Sequence, residues 1–255
     1  MPDTNAKEGI TQYAVRLGDD ALILGHRLSE WCSSAPFLEE DLALTNVALD
    51  FIGRARMFYS YAAEMTGGDC TEDSFAYLRD CRDFTNLLIH ELPRGDFAFT
   101  MARQYLVDEY NLRYMERLLD SADETLAAIA AKAIKESRYH LRRSRDWVVR
   151  LGDGTDESRA RLQSAVEDLW GYTPEMFEMD ELEAGLVDAG IAVDSVALKP
   201  GWESAVRSTF TEATIELPEG DWAVRGGRQG MHTESLGHLL SDLQFMQRAY
   251  PGQQW

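Results

Sequence analysis

Leu44, Val47, Ala48, Phe51, Ile52, Ala55 and Phe58 recur at helical spacing and form an apolar stripe too wide for a single coiled-coil seam. A helix with so broad an apolar face must be packed by other helices on more than one side. The same period runs through most of the 255 residues, and no stretch carries the period-2 alternation or tandem turn signals of a sheet. The spacing predicts long helices over about 9–32, 38–65, 97–119 and 122–151, and shorter ones over about 73–90 and within 157–250. Ser33 to Pro36, Gly67 to Asp69, Leu92 to Gly95 and Gly152 to Gly154 separate them. Ser121 and Glu124 have the spacing of a capping box, and Thr173 and Thr233 stand where helix N-caps are expected. The expectation is all-α: a four-helix bundle in two antiparallel pairs, with additional shorter C-terminal helices, in one domain over residues 1–255.

The net charge is −19, with 44 acidic against 25 basic residues. Such a surface argues against nucleic acid and against anionic membranes, both of which are bound through Lys and Arg. Residues 1–9 are polar, with no apolar signal core, and no apolar run approaches membrane-spanning length, so a cytoplasmic location is expected. Cys32, Cys70 and Cys81 form no CxxC pair, and reduced, mostly buried thiols are expected.

A four-helix bundle raises the question of a carboxylate-bridged di-iron centre. That site needs a Glu from each of two helices and Glu-x-x-His from each of the other two. An i, i+3 pair projects both ligands from one helix face toward one metal. Ile23, Leu87, Ser137, Gln229 and Ser235 stand three residues before the five histidines, so the motif is absent in this direction; the reversed motif is absent too. The i, i+4 pairs His26/Glu30 and Glu136/His140, and the run Glu234, His238, Asp242, have two readings: metal contacts or ordinary helix ion pairs. Asp108 and Glu109 are either a remnant of site carboxylates or a solvated face. No GxSxG, P-loop or GxGxxG is present. The loop Gly226 to Gly230 is glycine-rich and basic ahead of a helix, open to an anion-binding reading or to that of a flexible connection.

Lys132, Lys135, Arg138, Arg142, Arg143, Arg145 and Arg150 crowd one helical stretch of this acidic chain. Cations complement a helix C-terminus, and the same residues would suit an acidic partner or an anionic ligand.

Four stretches carry a family resemblance: YAVRLGDD from Tyr13 to Asp20, LTNVALDFIGRAR from Leu44 to Arg56, AKAIKESRYHL from Ala131 to Leu141, and GMHTESLGHLL ahead of a final PGQQW. The sequence resembles the C-subunit family of bacterial phenylacetyl-CoA epoxidases over nearly its whole length. The resemblance implies a ferritin-like fold and a structural, non-catalytic role beside a homologous A subunit that holds the di-iron centre, with no cofactor in this chain. The complex would draw electrons from a reductase subunit and use dioxygen to epoxidise the aromatic ring of phenylacetyl-CoA. By flanking residues, Phe51 and Arg54 stand at the first lost metal motif and Ser137 and His140 at the second, with Asp108 and Glu136 as possible remnants. Arg54 is expected to neutralise an acid such as Asp50 or Asp108. Lys135, Arg138, Arg142, Arg143 and Arg145 are candidate contacts for a partner or an anion. Tyr59, Tyr61, Tyr110, Tyr114 and Trp147 are candidate interface aromatics, for which core packing serves equally. The competing readings are an oxygenase with atypical ligands around His140, Glu136 and Asp108, and a CoA-ester-binding or regulatory module using the Arg138–Arg145 cluster.

Overall fold

The computed structural model describes residues 4–220 and 222–253; Gln254 and Trp255 of the PGQQW tail lie outside them. Ten α-helices and four short 3₁₀ turns, with no strand, make up the regular structure of the described residues. The helices are α1 (Thr4–Ser29), α2 (Leu38–Thr66), α3 (Glu72–Tyr77), α4 (Leu88–Glu91), α5 (Phe97–Leu118), α6 (Glu124–Gly152), α7 (Asp156–Trp170), α8 (Glu181–Asp188), α9 (Lys199–Glu212) and α10 (Glu234–Ala249). The four long helices fall within a few residues of the positions that apolar periodicity predicts, and α7 to α10 occupy the region about 157–250 where shorter helices are expected.

The stretch expected as one helix over 73–90 is two short helices, α3 and α4, with a 3₁₀ turn at Cys81–Asp83 between them. Thr71 and Asp80 start the first two of these pieces in capping boxes, so a new turn begins at Asp80 in place of a continued α3. The N-cap of α6 is Asp123, not Ser121. Its carboxylate accepts from the Thr125 and Leu126 amides, while the Ser121 hydroxyl donates to the Ile191 carbonyl at 2.7 Å. Neither Thr173 nor Thr233 caps through its side chain. The three cysteines are free, yet Cys32 is exposed and Cys70 and Cys81 are half-buried, which corrects the expectation of mostly buried thiols.

The chain divides into two compact units, Met1–Pro93 with Arg225–Trp255, and Arg94–Val224. In the first, α1 and α2 pack along their lengths. Gly18 meets the Tyr59 ring and Gly25 meets Ile52 and the Ala48 carbonyl, so the two helices run antiparallel. A methyl at Gly18 would stand 2.4 Å from the Tyr59 ring, which is why the helices approach so closely there. In the second unit α5 and α6 pack against each other, and α7 and α9 pack against both. The pairs Phe97/Trp147 and Glu116/Arg138 make α5 and α6 antiparallel as well. The Trp202 indole of α9 donates to the Leu106 carbonyl of α5 at 2.9 Å.

The first unit is also held by a buried charge network. Asp19 accepts from the Tyr59 hydroxyl (2.6 Å), the Thr85 amide (2.8 Å) and the Arg79 guanidinium. Burial and the Asp19 charge hold the Tyr59 phenol well above its ordinary pKa, so it remains a donor. Asp20 accepts from the Leu87 amide at 2.8 Å and pairs with Arg228 at 2.8 Å and with His90 at 3.2 Å. Arg228 also donates to the Thr85 carbonyl at 2.6 Å. The arginine of the glycine-rich loop is therefore committed to Asp20, and the anion-binding reading of that loop loses its cation. Among the described residues no helix is long and apolar enough to cross a membrane.

Burial pushes the Asp20 carboxyl up, but Arg228 and His90 together outweigh it and lower the pKa from 3.8 to about 2. A depressed folded-state pKa contributes stability above the unfolded value, and that stability is lost as pH falls through the folded one. Asp20→Asn is expected to lower stability at neutral pH by roughly 2 kcal/mol or more. Denaturant titrations should show the gap from the wild type closing as pH falls from 3.8 toward 2. A gap of constant size across that window would rule out an ionised Asp20 as its origin.

Candidate functional site

On α2, Phe51 and Arg54 are one turn apart and therefore share a face. Both are buried, at 1% and 2% exposure, and the Arg54 guanidinium sits 4.9 Å from the centre of the Phe51 ring. A cation over an aromatic face is an electrostatic contact that also fills space. On α6, Ser137 and His140 are likewise one turn apart and buried, while Glu136 is half-buried and Lys135 and Arg138 are exposed. The apolar phase of α6, through Ala133 and Val148, thus carries Ser137, His140 and Ser144 inward.

Asp108 of α5 is buried, not on a solvated face. Its carboxylate accepts from the Gln104 side-chain amide at 2.7 Å and from the Ser144 hydroxyl at 2.8 Å. Its neighbour Glu109 is 7% exposed and accepts from Arg113 one turn on; burial pushes its carboxyl up, and Arg113 opposes that.

Neither Phe51 nor Arg54 is an iron ligand. The Phe51 ring has no lone pair to give, and a guanidinium stacked on it brings positive charge where a cation would sit. Both oxygens of Asp108 are engaged, one by Gln104 and the other by Ser144. Among the described residues no group of three or more His, Cys, Asp or Glu is placed to hold a metal. The other acid–histidine pairs do not converge. The Glu30 carboxylate accepts from Arg27 at 2.6 Å, and burial lowers the His26 pKa. Glu234, His238 and Asp242 all lie on the exposed face of α10.

The basic residues of α6 are not equivalent. At 100° per residue, Lys135, Arg138, Arg142 and Arg145 fall within an arc of about 80°, and Arg143 lies outside it. Arg138 pairs with Glu116 at 3.2 Å and Arg145 pairs with Glu212. Arg142 lies over the Tyr139 ring at 5.9 Å, and Arg143 reaches the Met101 sulfur at 3.9 Å. Lys135 and Arg142 are the exposed cations of the arc that stand apart from these ion pairs.

Of the candidate interface aromatics, Tyr59, Tyr110 and Tyr114 are core residues at 2%, 5% and 5% exposure, and Tyr61 and Trp147 are half-buried. The exposed apolar side chains lie elsewhere. Leu38, Leu42 and Leu49 of α2 are 71%, 57% and 59% exposed. They fall within an arc of about 40° of one another.

Over residues 1–255 the sequence matches the family described as phenylacetic acid catabolic protein. The chain belongs to that family. It is 51% identical over 247 residues to the C subunit of the 1,2-phenylacetyl-CoA epoxidase of Escherichia coli strain K12, covering 96% of this chain and 99% of the relative. The all-helical architecture of the described residues, with its long pairs α1/α2 and α5/α6, is that of a ferritin-like helical bundle.

No local pattern in the sequence announces the charge network of Asp19, Asp20, Arg79 and Arg228. Its one visible signal is an Asp doublet inside an otherwise apolar helical phase, between Leu17 and Ala21.

The double variant Phe51→Glu/Arg54→His rebuilds one motif only. It is expected to retain no iron after ferrous loading and desalting, measured by elemental analysis. Iron approaching the two ions of a di-iron centre would show that Phe51 and Arg54 have been assigned to the wrong positions.

Proposed function

We propose that this chain is the non-catalytic structural subunit of a multicomponent di-iron oxygenase that epoxidises the aromatic ring of phenylacetyl-CoA in phenylacetate catabolism. It braces a homologous A subunit that carries the di-iron centre, with a reductase supplying electrons, in the cytoplasm. The single domain expected over residues 1–255 belongs to the same proposal.

The observation that carries this reading is the content of the former ligand positions. Phe51 has Arg54 stacked on it, and Asp108 is engaged by Gln104 and Ser144, so these positions are filled by packing and hydrogen bonds in place of a coordinating set. The name of the Escherichia coli relative, a subunit of an epoxidase, supports the assignment to a complex. The exposed side chains Leu38, Leu42 and Leu49 on one side of α2 support a protein partner, since exposed apolar surface marks interaction sites. A CoA-ester-binding module built on Arg138 to Arg145 is less well supported, because Arg138 and Arg145 already face carboxylates of this chain.

The purified chain, loaded with ferrous iron and desalted, is expected to retain none. Co-expressed with the iron-binding homologue and supplied with a reductase, it is expected to be required for conversion of phenylacetyl-CoA to its epoxide. About two irons retained per chain, or full conversion in its absence, would overturn the proposal. Lys135→Glu/Arg142→Glu is expected to weaken co-purification with the A protein and leave the fold intact by circular dichroism. Loss of CoA-ester affinity with co-purification unchanged would favour the binding module instead.

A further inference from the structure

The C-terminal segment 226–235 lies across the first unit and is fastened at successive points. Arg228 is anchored on Asp20, as described. Gly230 adopts a left-handed conformation (φ 70°), and a methyl on it would stand 2.2 Å from the Arg82 carbonyl. Arg27 of α1 donates to the Ser235 carbonyl at 2.9 Å and to the Glu91 carbonyl at 2.9 Å. The remaining fastening is His232.

The His232 side chain is 2% exposed and Glu91 is fully buried. Nδ1 of His232 lies 2.7 Å from the Glu91 carboxylate, and Nε2 lies 2.8 Å from the Phe84 carbonyl. A backbone carbonyl only accepts, so Nε2 must carry a hydrogen. The second contact then also needs a proton, on Nδ1 or on the carboxyl. The carboxylate already accepts from the Asn86 side-chain amide at 2.9 Å and from the Thr233 amide at 2.6 Å, which favours its ionised form and places the proton on His232. Both ring nitrogens are thus donors, and the ring is an imidazolium.

We propose that His232 is a protonation latch: its imidazolium holds the stretch around His232 and Thr233 against Glu91 and Phe84, and loss of its proton loosens that stretch while Arg228 stays on Asp20 and the helices beneath stay folded. Deprotonation sends one proton to solvent and leaves a ring-nitrogen lone pair facing either a carbonyl or a carboxylate, which is repulsive in both cases. Burial opposes the charge, and the hydrogen bonds to Glu91 and Phe84 with the negative charge of Glu91 and Asp19 outweigh it, raising the pKa. The titratable and charged groups facing the latch are Arg27, Asp19 and Asp20 from α1, and Arg79, Cys81, Arg82, His90 and Glu91 from the segments after α3. Arg228 and Glu234 belong to the fastened segment itself. Of these, Glu91 makes a direct hydrogen bond with the ring. A raised folded-state pKa contributes stability that is complete below the unfolded value and is lost as pH rises through the folded one. The latch is therefore closed below the ordinary histidine value and opens as pH rises through the raised folded-state pKa.

The experiment is hydrogen exchange on the full chain over pH 6 to 9, corrected for intrinsic rates, together with an NMR titration of the imidazole. Protection of the Thr233 and Leu236 amides is expected to fall several-fold as His232 loses its proton, with α5 and α6 unchanged. His232→Gln, which cannot carry the charge, should show low protection with no dependence on pH. An imidazole that titrates at or below the ordinary histidine value, or amides whose protection is unmoved when it does titrate, would overturn the latch. The imidazole titration needs only the wild-type chain, so it decides the matter even where the variant does not fold.

Discussion

Asp19 and Asp20 are consecutive on α1, so their carboxylates leave the helix about 100° apart and require separate partners. Asp19 takes Arg79, just past α3, and Asp20 takes Arg228, from the far end of the chain. A carboxylate withdrawn from water is tolerable only when its charge is matched and its lone pairs are filled. Here each acid receives a guanidinium and at least one backbone amide. Removing one arginine would strand a buried anion, which costs far more than the pair itself contributes. The short helices α3 and α4 and the segment 226–235 follow from this. They are irregular because their backbone groups and arginines are committed to α1, and a continuous helix over 73–90 would carry the Thr85 and Leu87 amides away from the acids that accept from them.

The same rule bears on Phe51, Arg54, Ser137 and His140, the positions that the proposed function reads as former metal motifs. Inward carboxylates and imidazoles repel or go unsatisfied unless a cation joins them. At the α2 positions the charge type is changed outright, to Phe51 and Arg54 stacked on one another. Along α6 the short side chains of Ser137 and Ser144 stand on the buried face. Asp108 remains, with Gln104 on one oxygen and Ser144 on the other at ordinary hydrogen-bond distances. Once those donors are engaged, rebuilding a site would mean removing partners as well as adding ligands.

The sequence discloses the long helices because each buries a face with helical period, and a period survives without knowledge of what covers it. It also discloses the missing metal motif, since an i, i+3 ligand pair is local. Pairings across the chain leave no such trace. YAVRLGDD and GMHTESLGHLL are both visible as distinctive stretches, yet nothing local joins Asp20 to Arg228 across a separation of 208 residues. Capping competition is equally hard to read. Ser121 and Glu124 have the right spacing, but Asp123 stands closer to the first free amides of α6, and Ser121 is drawn off to Ile191. The basic run on α6 is legible as composition, whereas the division between Arg138 and Arg145, which face acids, and Lys135 and Arg142, which face solvent, depends on where α5 and α9 place Glu116 and Glu212.

A net charge of −19 disfavours association with any partner of like charge, and the repulsion acts over roughly a Debye length, about 8 Å at physiological salt. An acidic subunit therefore needs local exceptions on its surface if it is to join a complex. Two such exceptions stand on the long helices: the leucine stripe of α2, where Leu38, Leu42 and Leu49 meet solvent, and the Lys135/Arg142 side of α6. They differ in what they contribute. Apolar area supplies binding free energy on contact, whereas exposed cations mainly set encounter rate and orientation. In the proposed complex, exposed cations would bear mainly on approach and the leucines on the free energy of contact.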